Sequence, residues 1–413
     1  METQKAASRF TKYQVFVIAI MALANFTVIL DFMVMAPLSA ILLPTLHITT
    51  AQFGLAVSAY AFSAGISGIL TAGFADKYDR KKLLLFFYCG FIIGTFLCAI
   101  APDYYFLLGA RIVTGMFGGV IGSIGGAIVT DLFEMEKRGR VMGFMQMGFA
   151  GSQVLGLPIG LYLANHFGWH SPFLMIVGLS SVMMVVQLIY LKPVADHLQN
   201  RVERNAFVHL RKTISRPEYL LAFAAMVLLA TGGFMMMPFG SAFAVNNIGV
   251  TLEQLPVLYM VTGLFSFFVA PLAGKFSDKI GKYNVFLIGT GLTIVMVLIY
   301  CDLSITPLWI IIIINVLLFA GIFSRIVPAS ALMTAIPDAH DRGAFMSINS
   351  SIQQMAGGVA AAVAGMIVTQ MPDGKILHYD TLGFVVIGAM IITAGMMYLI
   401  NRQAVKKLHR EKL

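Results

Sequence analysis

The 413-residue chain has a net charge of +9, an apolar fraction of 59% and only 11% charged side chains. Soluble domains use roughly 25% charged residues, so this chain lacks the polar material for a water-facing shell. Hydrophobic stretches run its whole length, which excludes a string of soluble domains and marks one all-α membrane unit.

The first twelve residues are short, polar and basic, with no small-residue cleavage site, so the first hydrophobic stretch is predicted to be a retained span. Twelve segments reach the ~20 apolar residues that a ~30 Å hydrocarbon core requires. Their predicted limits are 14–42, 51–75, 83–101, 104–132, 138–165, 170–191, 218–245, 252–274, 283–302, 306–334, 341–370 and 379–401. The polar stretch between the sixth and seventh spans divides the chain into a six-helix bundle (1–192), a cytoplasmic linker (193–217) and a second six-helix bundle (218–413). Cys89, Cys98 and Cys301 fall in apolar runs without paired spacing, which suits packing thiols better than a disulfide or a metal site.

Of the 28 lysines and arginines, all but Arg111, Arg325 and Lys375 fall on one side of this ladder. By the positive-inside rule that side is cytoplasmic and holds both termini. The basic balance is therefore topology, and no nucleic-acid surface is expected. Internal repetition supports two related halves: Asp76-Lys77 is echoed by Asp278-Lys279, and Arg138-Gly139 by Arg342-Gly343.

The run Gly274-Lys275-Phe276-Ser277-Asp278-Lys279-Ile280-Gly281-Lys282 resembles the cytoplasmic-loop signature of the major facilitator superfamily. The first-half copy around Asp76, Lys77, Arg80 and Lys81 keeps the aspartate and the basic residues but has Ala72 and Asp79 where the family has glycine. The resemblance covers the whole chain and implies two pseudo-symmetric six-helix bundles that work by alternating access. A carboxylate at a helix end can pair with basic residues and with a neighbouring helix N-terminus. Asp76 and Asp278 are thus candidate gating latches, with Lys77, Arg80, Gly274, Lys279, Gly281 and Lys282 completing the loops.

Leu30-Asp31-Phe32 through Ala36-Pro37-Leu38 is similar to the first-helix pattern of the drug:proton antiporter branch, and Arg111 with Gly115 to its fourth-helix pattern. Gly148, Gly156, Pro158 and Gly160 fit its fifth-helix motif in part, since a contiguous Gly-Pro pair is missing.

Elimination points the same way. Of nineteen carboxylates, Asp31 alone lies deep in a span, and the eight histidines fall in loops, at span ends or in tails. An ionisable side chain at membrane depth costs ~2.5–3.5 kcal/mol on insertion scales and is a functional candidate by default. At ~1.5 Å per helical residue, Asp31 and Arg111 both sit about 10–16 Å below the periplasmic boundary. The resemblance places their helices side by side on the cavity. Burial and a nearby guanidinium pull an aspartate's proton affinity in opposite directions, so a state-dependent pair would capture and release a proton. A static packing pair is the alternative. Arg325 has no carboxylate at its depth and is expected either to line the cavity or to bond backbone carbonyls.

Asn25, Tyr60, Gln146, Gln153, Asn349 and Gln353 are the uncharged polar candidates for substrate contact, with interhelical packing as the competing role. Small residues at four-residue spacing, Gly148, Ser152, Gly156 and Gly160, suit a close helix approach. The eleventh span offers Gly357, Gly358, Ala361 and Gly365, so these two helices are expected to form the sliding contact between halves. The triplet Met235-Met236-Met237 suits either a soft pocket wall or filler.

No clustered catalytic set lies at membrane depth, and no phosphate-binding loop ending in lysine and serine or threonine occurs, so neither an enzyme nor an ATP-driven pump is expected. The function implied is proton-coupled efflux of small amphipathic or drug-like compounds from a bacterial inner membrane by a monomer. It would use the proton gradient and no cofactor, with the lipid bilayer and a small-molecule substrate as partners. Uptake or exchange of an anionic metabolite or sugar, anchored by Arg325, stays open beside it.

Overall fold

A computed structural model describes residues 10–72, 74–195, 198, 206–338 and 341–410. The first half runs α1 (Lys12–Val34), α2 (Ser39–Thr45), α3 (Thr50–Ala72), α4 (Arg80–Ala99), α5 (Tyr104–Leu132), α6 (Met135–Gly151), a π-helical turn (Ser152–Gly156), α7 (Leu157–Phe167) and α8 (Ser171–Tyr190). The connecting α9 (Ala206–Ile214) leads to α10 (Pro217–Phe234), α11 (Gly240–Asn246), α12 (Leu255–Ile280), α13 (Lys282–Cys301), α14 (Leu308–Thr334) and α15 (Arg342–Ile367). A two-stranded hairpin, β1 (Thr369–Gln370) with β2 (Ile376–Leu377), precedes α16 (Tyr379–Arg410).

Among the described residues, eleven helical passages are long and apolar enough to cross a membrane. The twelfth, α15, has the length at 26 residues but carries serines, Asn349, Gln353 and Gln354 among its small residues. Twelve passages put the starts of α1 and α10 and the end of α16 at one end of the molecule, the basic end. The other is called the far end. Most limits agree with the predicted spans, α5 residue for residue, while α16 continues to Arg410, nine residues beyond prediction.

Two spans predicted as continuous are broken. The first breaks after Val34 and resumes at Ser39; the seventh breaks after Phe234 and resumes at Gly240 through a 3-10 turn, Met237–Phe239. Pro37 and Pro238 stand in the two breaks, and a proline ring removes one helical donor and clashes with the preceding turn. The hydrophobic run passes through both sites, so hydropathy hides them. The matching strings Met35-Ala36-Pro37-Leu38-Ser39-Ala40 and Met236-Met237-Pro238-Phe239-Gly240-Ser241-Ala242 are the signal that would have revealed them. Met235 is buried at this break and the Met236 carbonyl accepts the Tyr379 hydroxyl at 3.2 Å, so the methionine triplet belongs to the helix junction.

The two short segments α2 and α11 meet across the halves at the far end, where the Ala242 amide donates to Ser39 Oγ at 3.2 Å. Phe53 packs edge-on against Phe239 with ring centroids 5.8 Å apart. Asn165 Nδ2 donates to the Leu252 carbonyl at 2.7 Å, and Thr50 Oγ1 to the Val368 carbonyl. The far end is sealed.

The contact between halves differs from the expected one. The fifth and eleventh spans do not slide on each other; each crosses to a different partner. Along α15, Gly365 and Ala361 press on α3: a Cβ on Gly54 would lie 2.7 Å from the Ala361 carbonyl oxygen, and one on Gly365 2.6 Å from that of Thr50. The fifth span meets α12, where a Cβ on Gly263 would sit 2.9 Å from the Gln153 carbonyl oxygen. Its small-residue stripe instead faces α1 of its own half. Gly148 abuts the Ala22 carbonyl, Gly156 lies under Leu30, Gly160 under Val34, and Ser152 Oγ reaches Met33 Sδ at 3.9 Å. Pro158 has no N–H, and just before it the Leu157 amide bonds to the Ser152 carbonyl, the five-residue spacing of the π turn.

Candidate functional site

Asp31 lies on α1, three residues before the end of that helix, and Arg111 lies on α5. Arg111 Nη1 meets Asp31 Oδ2 at 2.8 Å and also donates to the Asp31 carbonyl at 3.3 Å. Both side chains are 0% exposed. The two residues that the depth argument singles out are thus in contact. Two further groups enter that it did not foresee. Thr95 on α4 donates its hydroxyl to Asp31 Oδ1 at 3.2 Å, and the Tyr60 ring of α3 lies 4.5 Å from the Arg111 guanidinium carbon. From the sequence Tyr60 is only a polar candidate. Thr95 carried a faint signal as a hydroxyl in the apolar run of α4.

The pair is buried inside the first half in this conformation. Tyr60 closes over Arg111, Phe32 packs on Tyr60 at 5.3 Å, and Phe32 meets Phe234 of the second half at 5.7 Å. Gly115 is what lets α5 come this close, because a Cβ there would collide with the Tyr60 carbonyl and Ser63 Oγ. Among the described residues Arg111 Nε and Nη2 have no hydrogen-bond partner. An ion pair out of water repays its desolvation only with good geometry and saturated partners, so this one is held in a partly unsatisfied state. Protonating Asp31 would strip Arg111 of its counter-charge; the pair and its surroundings have to rearrange together.

The other candidates divide. Asn25 is half-buried, with its Oδ1 facing Gly122 of α5, and Gln153 is buried on the π turn where α12 crosses. Asn349 is buried, and among the described residues its Oδ1 has no partner. Gln353 is exposed and belongs to a face of α15 on which Gly343, Met346 and Ser350 are exposed as well. Further along that face Gly357, Ala360 and Ala364 are buried, and a Cβ on Gly357 would lie 2.9 Å from the Phe234 ring. The exposed and mainly polar stripe thus runs from the basic end and stops where Phe234 covers it. The second exposed stripe of α15, Val359, Val363 and Met366, is apolar and lies on a different side, as a lipid-facing surface would. The Gln146 and Asp76 side chains lie outside the described residues.

The loop candidates are asymmetric. In the second half the signature forms the last turns of α12, where Asp278 is 76% exposed and reaches Lys282 at 3.5 Å, one helical turn on; Lys279 is exposed beside it. Among the described residues Asp278 docks on no other helix in this conformation. Gly274 is half-buried in α12, and Gly281 has a φ of +97°, which only glycine adopts at little cost. In the first half the signature lies in a 3-10 turn, Ala75–Lys77, and Asp79, at φ −56°, needs no glycine. Its carboxylate caps α4 through the Lys81 amide at 2.7 Å and receives the Val194 amide at 3.3 Å. Arg80 is buried against Asp131 at 3.2 Å, which ties the loop to α5 of the same half. The departure at Asp79 from the family glycine therefore has a local cause.

Arg325 is buried at 3% exposure among α10, α13 and α16. Its nearest companions are Gly232, Met390 and the Phe286 ring, whose centroid lies 5.7 Å from the guanidinium carbon. Carbonyl bonding was the alternative expected for it, but among the described residues its Nε and Nη2 have no hydrogen-bond partner.

A sealed far end, paired broken helices, crossed seams and a buried ion pair on the first helix describe a membrane transporter rather than an enzyme. Comparison with known proteins agrees: the profile described as Major Facilitator Superfamily matches residues 21–362, and the chain belongs to that family. YbcL, an uncharacterized MFS-type transporter of Bacillus subtilis strain 168, is 24% identical over 89% of this chain and 92% of its own length. A second from the same organism, YceJ, is 26% identical over 63% of this chain and 66% of its own. A probable sugar efflux transporter of Helicobacter pylori strain P12 is 25% identical over 67% of each chain. Among solved structures, a bacterial homolog of the human lysosomal transporter Spinster, inward-facing and unoccupied, superposes with a TM-score of 0.74 at 16% identity over 96% of this chain and 99% of that one. The nucleoside transporter NupG does so at 0.72 and 13% identity, over 93% and 99%. These likenesses support the twelve-helix fold. The protein is a multi-pass major facilitator transporter that takes a small-molecule substrate through the membrane.

Proposed function

We propose that this transporter is a proton-coupled exporter of small amphipathic compounds, with Asp31 carrying the proton and Arg111 tuning when it binds. The observation that supports this most is the ion pair itself. Among the described residues Asp31 is the carboxylate buried at membrane depth, and its partner keeps two nitrogens unsatisfied. A pair held this way is easily remade when the halves rock, which is what a coupling site requires.

The basic end is the cytoplasmic one on this reading, because lysine and arginine gather there. A polar stripe open from that end and a sealed far end suit a conformation ready to load substrate from the cytoplasm. Protonation of Asp31 from the far side would then follow substrate release. The efflux named for the Helicobacter relative is in line with export. The transporter would act as a monomer in a bacterial inner membrane, drawing on the proton gradient alone.

The test is gradient-driven transport in proteoliposomes, comparing the natural chain with Asp31→Asn over a panel of lipophilic dyes and anionic metabolites. Loss of gradient-driven accumulation with substrate binding retained supports the proposal. Undiminished accumulation at every pH sinks it.

A further inference from the structure

Arg325 has no part in the proton mechanism. Its guanidinium is a planar fork of five N–H donors, placed nine residues from the basic end of α14, about 14 Å along the helix. It is 3% exposed, yet Nε and Nη2 have no acceptor among the described residues. The Phe286 ring covers one side. On another side lies Gly232, where a Cβ would stand 3.7 Å from Nη1 and 3.9 Å from Nη2, within van der Waals contact of the fork. Gly233 is exposed and a Cβ there would meet nothing within 4 Å. The next residue is Phe234, which bridges to Phe32 and ends the polar stripe of α15. Glycine thus leaves the α10 side of the buried cation bare of side chains, with the Phe286 ring on one flank and the Met390 methyl, 3.8 Å from the same Cβ position, on the other.

We infer that Arg325 is the recognition group for a carboxylate on a small lipophilic substrate, which enters past Gly232 and Gly233 and lays its apolar body against Phe234 and Met390. A carboxylate matches the guanidinium fork in a bidentate, charge-assisted pair. An apolar body suits the flanking walls. This rests on the exporter reading and narrows its substrates from amphipathic compounds in general to lipophilic monocarboxylates.

The experiment measures ligand-induced thermal stabilisation of the full chain purified in detergent, with 1-naphthoate and its neutral counterpart 1-naphthamide as probes. Naphthoate near saturation should raise Tm by about 3 °C, naphthamide should not, and the rise should vanish in Arg325→Met. Gly232→Val, which keeps the charge and blocks the approach, should abolish it too and decides the matter if Arg325→Met does not fold. No rise with naphthoate in the natural chain, an equal rise with naphthamide, or a rise that survives either substitution overturns the inference. Asp31→Asn should leave the naphthoate response intact. Failure of proton coupling and failure of carboxylate recognition therefore give separate signatures.

Discussion

Arg111 and Arg325 are both buried arginines in opposite electrostatic situations. Arg111 has a carboxylate 2.8 Å away, whereas among the described residues Arg325 forms no ion pair. Removing one member of a buried pair leaves an uncompensated charge, at a cost of about 3–5 kcal/mol. Arg111→Met should therefore lower thermal stability sharply, and Asp31→Asn added to it should recover most of the loss. A double-mutant cycle by thermal unfolding in detergent reads that coupling. Arg325→Met removes a charge that has no partner to orphan, so it should leave the unliganded protein as stable as before or more so. At the basic end, Lys407 donates to Asp338 at 2.8 Å, and its hydrogen bond and charge hold that carboxyl below the ordinary carboxylate range. A depressed folded value contributes stability above the unfolded pKa near ~4, and the contribution is lost as pH falls through the folded value. Asp338 is 56% exposed, so the effect is under about 1 kcal/mol. Lys407→Gln should cost that small amount at pH 7 and nothing in strong acid, measured by unfolding at both pH values. Asp31 and Arg111 were legible in the sequence because charge at membrane depth is rare. Thr95 and the ring of Tyr60 were not, because hydroxyls and aromatics are ordinary in a span and acquire meaning only from the helix packed beside them.

The spans themselves were legible because apolar length is a direct demand of the bilayer, and even α15, the most polar of them, stood among the twelve apolar segments. The breaks at Pro37 and Pro238 were not, since hydrophobicity continues through both. Nor could spacing tell which neighbour a small-residue stripe meets: Gly148 and Gly156 face α1, while Gly365 and Gly54 meet across the halves. The linker helix was equally hidden. α9 reaches the second half through His209, 3.7 Å from Asp341, a carboxylate that also accepts from Arg216 at 2.6 Å and from the Tyr219 hydroxyl at 3.0 Å. The α3–α15 seam makes a sharp prediction. Forcing a β-branched side chain into a close-packed contact costs about 1–3 kcal/mol, and Gly365→Val loads that cost on the far-end seal. Labelling of a cysteine placed at Ser39 by a membrane-impermeant thiol reagent should become faster in Gly365→Val than in the otherwise natural chain.

At the scale of the whole molecule, the two halves repeat one device: a long helix broken by proline, then a short helix that caps the far end. Because α2 and α11 touch through Ser39 and Ala242, Ser39→Cys with Ala242→Cys should form a cross-link under oxidation that holds the far end shut. Transport should stop and return on reduction, while substrate binding from the basic end persists. Fluorescence uptake with and without reductant checks this. Transport that continues through the oxidised form would mean that the far end is not a gate.

The seal at that end also has a chemical character of its own. It is built from an amide, two hydroxyls, an asparagine and two phenyl rings, while the described ion pairs at the surface gather at the basic end. Mobile ions screen exposed charges over about 8 Å at physiological strength and leave neutral hydrogen bonds nearly untouched. Opening of the far end is thus indifferent to the ionic strength of the medium that bathes it.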